Sequence, residues 1–214
     1  MAATIVIADD HELLRRGLRG TMEERQDWRV VGEATNGREA VALVEEFHPN
    51  IAVIDLSMPE LNGLEATRRI RLSSPETAVL ILTVHASEQV VREVLDAGAQ
   101  GYLLKSDAGR DLLSAVEALL AGKPYFTSTV ARMVLAGFLD SGTKQRPVTS
   151  ALSAREREIV QLISEGKSTK EVASLLGISS ATAETHRTNI MHKLKFHSVA
   201  ELVRYAIRNR IVEP

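Results

Sequence analysis

The sequence predicts a doubly wound α/β domain followed by a small all-helical domain. Within residues 1–121, short continuous runs rich in Val, Ile and Leu alternate with segments whose apolar residues have helical spacing. Alternation of this kind is typical of a parallel sheet covered by helices on both faces. From residue 151 onward the chain instead shows three S-x-x-E capping boxes and helix-ending glycines. We therefore expect a five-stranded parallel sheet first and four helices after it.

Each strand of the predicted sheet is a short apolar run, and each is followed by a helical segment. The first such segment has Leu14, Leu18 and Met22 on one face. In a doubly wound sheet, ligands bind beyond the carboxyl ends of the strands, so the residues that end each run are candidates for the site. The strands are expected at 4–8 (TIVIA), 29–34 (RVVGEA), 50–56 (NIAVIDL), 77–84 (TAVLILTV) and 101–105 (GYLLK).

The positions of turn, linker and helix-capping residues predict three regions: a first domain at 1–121, a linker at 122–150 and a second domain at 151–214. The linker is rich in Gly, Ser, Thr and Pro, with a helix expected at about 129–139 and a hinge at 141–150. In the second domain, a short second helix, a tight GIS turn and a longer third helix indicate a helix-turn-helix motif. Its four helices are expected at about 154–165, 169–176, 180–195 and 199–208.

Composition limits the class of protein. Apolar residues make up 44% and charged residues 25%, as in ordinary globular proteins. The chain has no Cys, which excludes disulfides, thiolate metal sites and cysteine nucleophiles. No apolar run is long enough for a membrane span and no secretion signal is visible, so we expect a cytoplasmic protein with no membrane contact.

Charge is unevenly distributed between the domains. Residues 1–124 carry 20 acidic and 13 basic side chains, whereas residues 151–214 carry 7 and 10. An acidic front and a mildly basic tail favour two modules with different partners, of which the tail is the one suited to nucleic acid.

Two adjacent aspartates, Asp9 and Asp10, end the first apolar run. One interpretation is that Asp10 caps the following helix while Asp9 lies in solvent. The other takes account of Asp55, Thr83 and Lys105, which end or nearly end the third, fourth and fifth runs and so reach the same edge of the sheet. Three carboxylates in one crevice require a cation, and oxygen ligands without Cys favour Mg²⁺. A lysine opposite them is suited to pairing with a phosphoryl group.

These residues lie in motifs (ADDH, VIDLSMPELNG, LTVHA and GYLLK) that resemble the receiver domain of two-component response regulators over about residues 3–121. The resemblance implies a flavodoxin-like fold that takes phosphate from a sensor histidine kinase. It implies that Asp55 is the phosphoacceptor and that Mg²⁺ is held by Asp9, Asp10, Asp55 and the Ser57 backbone carbonyl. It also implies that Thr83 hydrogen-bonds the phosphoryl group, that Lys105 pairs with it, and that Tyr102 moves with Thr83.

The tail, LSAREREIVQLISEGKSTKEVASLLGISSATAETHRTNIMHKL, resembles the LuxR-type DNA-binding domain, and the whole chain resembles the NarL/FixJ family. The resemblance places one face of the third helix toward the bases of double-stranded DNA. Ala183 and Glu184 depart from the residues usual in that helix. The residues expected to face bases are Glu184, Thr185 and Thr188, and those expected to contact phosphates are Lys167, Lys170, Arg187 and Lys193.

The predicted function is that of a transcriptional response regulator, switched by Mg²⁺-dependent phosphorylation of Asp55 and forming a homodimer when phosphorylated. It is not expected to be an enzyme, beyond accepting phosphate and promoting its own dephosphorylation. Two alternatives stay open at this point. One is a regulator that binds DNA independently of phosphorylation. The other is an Asp-based phosphotransferase of the haloacid dehalogenase type, although ADDHE lacks the D-x-D-x-T pattern of that class.

Overall fold

The computed structural model describes residues 2–133 and 152–213, and the chain divides into two compact units. The first unit contains a sheet whose strands are all parallel, in the order β2-β1-β3-β4-β5-β6. This confirms the predicted doubly wound α/β architecture. The strands are β1 (Ala3–Ala8), β2 (Trp28–Ala34), β3 (Ile51–Asp55), β4 (Ala78–Thr83), β5 (Gly101–Leu104) and β6 (Tyr125–Phe126).

The sheet has six strands, so the prediction of five was wrong. The additional strand, β6, has only two residues, and Tyr125 and Phe126 pair with Gly101 and Tyr102 of β5. A two-residue strand leaves no apolar run in the sequence, and the sequence pattern predicts a linker at these residues. The strand β6 is stabilised by its pairing with β5, and local sequence patterns do not predict such pairing.

Helices cover both faces of the sheet, as the continuous apolar strands require. Alternate residues of the strands belong to two separate core clusters, because successive side chains point to opposite faces. One cluster contains the buried residues of the second, third and fourth helices, and the other contains those of the first and fifth. The helices are α1 (Glu12–Glu23), α2 (Gly37–Phe47), α3 (Gly63–Ser73), α4 (Glu88–Asp96) and α5 (Ala108–Leu120).

The second unit is all-helical in the described residues and has its own core cluster. The three predicted capping boxes are present, each pairing a Ser side chain and a Glu side chain with the backbone of the first turn. Gly177 ends the second of these helices in the left-handed conformation, with φ of 63°. The helices are α6 (Ala154–Ser164), α7 (Thr169–Leu176), α8 (Ser180–Leu194) and α9 (Val199–Arg208).

Within the first unit, residues 128–133 are helical and Val130 is fully buried in the core cluster that also contains Tyr102. The rest of the helix predicted at 129–139 and the hinge predicted at 141–150 lie outside the described residues. In the part of the chain that is described, no helix is both long and apolar enough to cross a membrane.

Candidate functional site

The carboxyl edge of the sheet brings together the polar residues that end its strands. Asp9 follows β1 directly, Asp55 is the last residue of β3, Thr83 is the last of β4, and Lys105 follows β5. Asp9, Asp55 and Thr83 are buried, with 0%, 3% and 0% of their surface exposed. The sheet is parallel, so its topology alone places these four residues at one edge.

Lys105 lies between the two buried carboxylates. Its Nζ is 2.8 Å from Asp9 Oδ2 and 2.9 Å from Asp55 Oδ2. Burial lowers the pKa of Lys105, but hydrogen bonds to Asp9 and Asp55 outweigh this effect, and the pKa lies above its ordinary value. The ammonium group is therefore charged at neutral pH and compensates two carboxylates that burial would otherwise penalise.

The Asp55 carboxyl is held in an environment that disfavours its charged form. Burial raises its pKa to about 6, against the lowering effect of Lys105, and the Asp9 carboxylate adds to the rise. The backbone N–H of Ser57 donates a hydrogen bond to the same carboxyl group. One lysine thus offsets only part of the cost of two carboxylates at this edge, and a second cation would relieve it further.

The donor atoms at this edge fit a divalent cation. Ligand atoms of Asp9, Asp10, His11 and Asp55 all lie within 4.8 Å of one another, and the three carboxylates are hard oxygen donors of the kind that Mg²⁺ prefers. Asp10 does not cap α1, because the N-cap residue is His11 and that side chain makes no capping bond. His11 Nδ1 instead lies 2.9 Å from Asp10 Oδ1. The geometry favours the cation over the capping interpretation.

Gly63 allows α3 to begin directly against the phosphoacceptor candidate. Its N–H donates to the carbonyl of Leu56 at 2.9 Å, and a Cβ at this position would lie 2.1 Å from the Asp55 carbonyl oxygen. No real Cβ tolerates that approach to backbone. Gly63 is therefore required by the close packing of the start of α3 against the end of β3, in addition to any role in the turn.

Thr83 and Tyr102 are connected through the backbone of one residue. The N–H of His85 donates to Thr83 Oγ1 at 3.1 Å, and the hydroxyl of Tyr102 donates to the His85 carbonyl at 2.6 Å. Tyr102 itself is fully buried. The sequence indicated both side chains but gave no sign of the His85 backbone between them, because the link depends on how the loop after β4 folds.

One side of α8 is buried and the other is exposed. Ala183 and Ile190 are buried in the core of the second unit. Arg187 is half-buried, and Lys167 is also of intermediate exposure, whereas Lys170 is exposed. The side chains expected to face bases lie on the exposed side of the helix: Glu184, Thr185 and Thr188.

Several of the predicted DNA contacts, including Glu184 and Lys193, also make bonds within the second unit. Glu184 Oε2 accepts a hydrogen bond from Thr169 Oγ1 at 3.0 Å and lies 3.7 Å from Arg187 Nη1. Lys193 Nζ lies 2.8 Å from Oε2 of Glu156, the capping-box carboxylate of α6. A DNA phosphate would have to compete with that carboxylate for Lys193, a competition that the sequence alone did not suggest.

Two family models match this chain and together cover most of it. The response regulator receiver domain matches residues 5–117, and the luxR family of bacterial regulatory proteins matches residues 150–206.

Curated relatives match over nearly their full length. The transcriptional regulatory protein LiaR of Bacillus subtilis is 38% identical over 97% of this chain and 98% of its own. The oxygen regulatory protein NreC of Staphylococcus aureus is 39% identical over 98% and 99%. Among solved structures, RcsB of Salmonella enterica serovar Typhimurium, bound to promoter rprA with phosphomimetic BeF3⁻, matches with a TM-score of 0.58. It is 26% identical over 96% of this chain and 98% of RcsB.

Proposed function

Because this chain belongs to the NarL/FixJ family of two-component response regulators, we propose that a sensor histidine kinase phosphorylates Asp55 and that the phosphoryl group switches DNA binding. The observation that carries the proposal is the position of Lys105, which contacts both Asp9 and Asp55 at the buried edge of the sheet. A receiver domain and a LuxR-type domain in one chain imply a kinase and double-stranded DNA as partners. We expect the protein to encounter both partners in the cytoplasm.

Asp55 acts as the nucleophile of the transfer. One of its carboxylate oxygens forms a bond to phosphorus while the bond from phosphorus to the donor's leaving group breaks. Lys105 Nζ, 2.9 Å from Oδ2, is placed to pair with an oxygen of the arriving phosphoryl group. The acyl phosphate is later cleaved by water, which returns the carboxylate and releases phosphate, so the protein accepts phosphate without being an enzyme toward another substrate.

Asp9, Asp10 and Asp55, with the backbone carbonyl of Ser57, are the residues that would hold Mg²⁺. When bound, Mg²⁺ neutralises negative charge that develops on the phosphoryl oxygens. Asp9 is held by the rigid end of β1, whereas Asp10 is more exposed and lies on the solvent side of the site. The contact of Asp10 with His11 does not prevent this, since the His11 side chain is 70% exposed and can turn away into solvent.

Metal removal tests the first half of the proposal. We expect the full chain to incorporate phosphate from acetyl phosphate when Mg²⁺ is present, and to lose that incorporation when EDTA is added in excess. The labelled product should be stable in acid and labile in base, as an acyl phosphate is. Equal incorporation with and without EDTA would exclude a metal-dependent transfer and with it the proposed role of the three carboxylates.

Thr83 links the phosphoryl group to the rest of the domain. A phosphoryl oxygen on Asp55 would accept a hydrogen bond from the Thr83 hydroxyl, which itself accepts one from the His85 N–H, and the His85 carbonyl accepts one from Tyr102. A rearrangement at Thr83 is therefore transmitted to the buried Tyr102 through the backbone N–H and C=O groups of one residue, His85. Such a link shifts an equilibrium only if the two states bind the phosphoryl group differently.

We predict that Thr83→Ala accepts phosphate but gains less than a third of the wild-type increase in DNA affinity, because the hydroxyl that connects the site to His85 is gone. The matched control is Thr77→Ala, which removes another buried hydroxyl, at the residue before β4, where it donates a hydrogen bond to the Pro49 carbonyl at 2.8 Å. That variant should lose stability but switch normally. A Thr83→Ala protein with the full phosphorylation-dependent gain would show that the signal takes another route.

We also propose that α8 enters the major groove of DNA with Glu184, Thr185 and Thr188 toward the bases, while Lys167, Lys170, Arg187 and Lys193 contact phosphates. The exposure of the first three residues supports this facing. Glu accepts a hydrogen bond from cytosine N4, and Thr contacts a thymine methyl, each worth about 1–3 kcal/mol of discrimination. Because Glu184 is tied to Thr169, its carboxylate is already oriented before DNA is bound.

We predict that Glu184→Ala changes the preferred sequence, whereas Lys170→Ala weakens binding to all sequences and lowers the salt slope by about 1. Lys193→Ala should behave like Lys170→Ala with a smaller loss, since Lys193 must first leave Glu156. Binding-site selection on the three variants and on the wild type measures these effects. An unchanged preference in Glu184→Ala together with an altered one in Lys170→Ala would show that the facing of α8 is wrong.

A further inference from the structure

The backbone around Asp9 and Asp10 is held by three hydrogen bonds, one of which reaches the peptide that joins the two residues. The Asp9 N–H donates to the Ala34 carbonyl of β2 at 3.1 Å, where the pairing of β1 with β2 ends. The Asp9 carbonyl, which belongs to the Asp9–Asp10 peptide, accepts a hydrogen bond from Arg15 Nη1 at 2.8 Å. In addition, the N–H of His11 donates to Asp9 Oδ1 at 2.8 Å.

Arg15 is itself held in place. It projects from the first turns of α1, and its side chain is only 12% exposed. Its Nε lies 3.6 Å from Glu33 Oε2, near the carboxyl end of β2, and Glu33 Oε1 accepts a hydrogen bond from Arg19 at 2.8 Å. The guanidinium therefore joins the backbone at the end of β1 to a carboxylate of β2.

We propose that Arg15 is a positioning residue, which fixes the plane of the Asp9–Asp10 peptide so that both aspartates direct their carboxylates toward one cation. The proposal rests on the metal role given above to Asp9 and Asp10. A peptide plane is rigid, so holding its carbonyl oxygen fixes where the Asp10 Cα lies and leaves the φ angle of Asp10 as the one backbone rotation that can redirect its Cα–Cβ bond. Mg²⁺ demands near-ideal geometry from its ligands, which makes its affinity sensitive to such an orientation.

Charge alone predicts the opposite effect. Arg15 places a positive charge 2.8 Å from the backbone carbonyl oxygen of Asp9, a ligand candidate, so its removal should strengthen the attraction of a divalent cation if electrostatics were its only contribution. If Arg15 positions the peptide, its removal weakens cation binding instead. The sign of the change in Mg²⁺ affinity therefore separates the two roles.

The test is a calorimetric titration of the full chain with MgCl₂, with thermal unfolding of each variant recorded alongside. We expect Arg15→Met to raise the Mg²⁺ dissociation constant by about 10-fold, as loss of a group that orients a metal ligand usually does. Arg15→Lys, which keeps one donor, should recover part of the affinity. Glu33→Gln should raise the constant by about threefold in the wild type and have no further effect in Arg15→Met, because it acts through Arg15.

The matched control is Arg16→Met, which removes the same charge from the neighbouring position of α1, where the side chain is 74% exposed and pairs with Glu12. This variant should bind Mg²⁺ like the wild type. An unchanged or tighter affinity in Arg15→Met, or an equal loss in Arg16→Met, would overturn the proposal. If Arg15→Met fails to fold, Arg15→Lys and Glu33→Gln decide by the same criterion. A wild type that binds Mg²⁺ but takes no phosphate would contradict the proposed function and leave this inference intact.

Discussion

Replacing Asp55 with Asn should abolish phosphate incorporation from acetyl phosphate, to the background of a heat-denatured sample. The amide keeps the size and most of the polar contacts of the carboxyl group but supplies no nucleophilic oxygen anion. Asp55 lies at the end of β3 with Lys105 Nζ 2.9 Å from its carboxylate. Its carboxyl group also accepts a hydrogen bond from the Ser57 N–H. Labelling with radioactive acetyl phosphate measures the loss.

The same variant should be more stable than the wild type in EDTA at pH 7, which separates loss of chemistry from loss of fold. Burial raises the pKa of Asp55 to about 6, above its value in the unfolded chain. The folded protein therefore holds the proton more tightly, and stability falls as the pH rises from about 4 to about 6. Asn does not ionise, so the variant should gain roughly 1–3 kcal/mol at pH 7 and little at pH 4. Undiminished labelling of this variant would show that another residue accepts the phosphate.

Gly63→Ala should reduce both stability and phosphorylation. Its Cβ would lie 2.1 Å from the Asp55 carbonyl oxygen and 2.9 Å from the Leu56 Cα, and neither backbone atom belongs to a flexible side chain that could move away. Either α3 or the end of β3 must shift. We expect a loss of about 1–3 kcal/mol or more and at least a tenfold slower phosphorylation, since a displacement of about 1 Å at a reacting group costs about 100-fold.

The matched control is Gly17→Ala, which makes the same substitution inside α1, where nothing lies within 4 Å of the added carbon. Ala is the better helix former there, so this variant should gain roughly 0.5–1 kcal/mol and label normally. Denaturant unfolding and labelling rates of the two variants give the comparison. If Gly63→Ala labels at the wild-type rate, the close approach of α3 does not help to place Asp55.

The sequence was most informative about the carboxyl edge of the sheet. Apolar runs covered on both faces indicate parallel strands, and parallel strands bring their ends together whatever the loops do. The sequence alone therefore places Asp9, Asp55, Thr83 and Lys105 at one edge. The capping boxes and Gly177 set the helices of the second unit with similar accuracy, because a cap is a local interaction within four residues.

Features that depend on contacts distant in sequence were not predicted. The strand β6 has only two residues and is recognised only through its pairing with β5. Likewise, the pairing of Lys193 with Glu156 joins residues 37 positions apart, and no local pattern reports it.

The affinity of the full chain for its selected DNA duplex, with and without phosphorylation, tests the central claim most directly. The second domain carries only three more basic than acidic side chains, so one copy offers few phosphate contacts, and two copies on adjacent half-sites would roughly double them. We predict that acetyl phosphate with Mg²⁺ tightens binding of the wild type at least about 10-fold and converts it to a dimer, with no change for Asp55→Asn. Equal affinities of the phosphorylated and unphosphorylated wild type, or an equal gain in Asp55→Asn, would contradict a switch at Asp55.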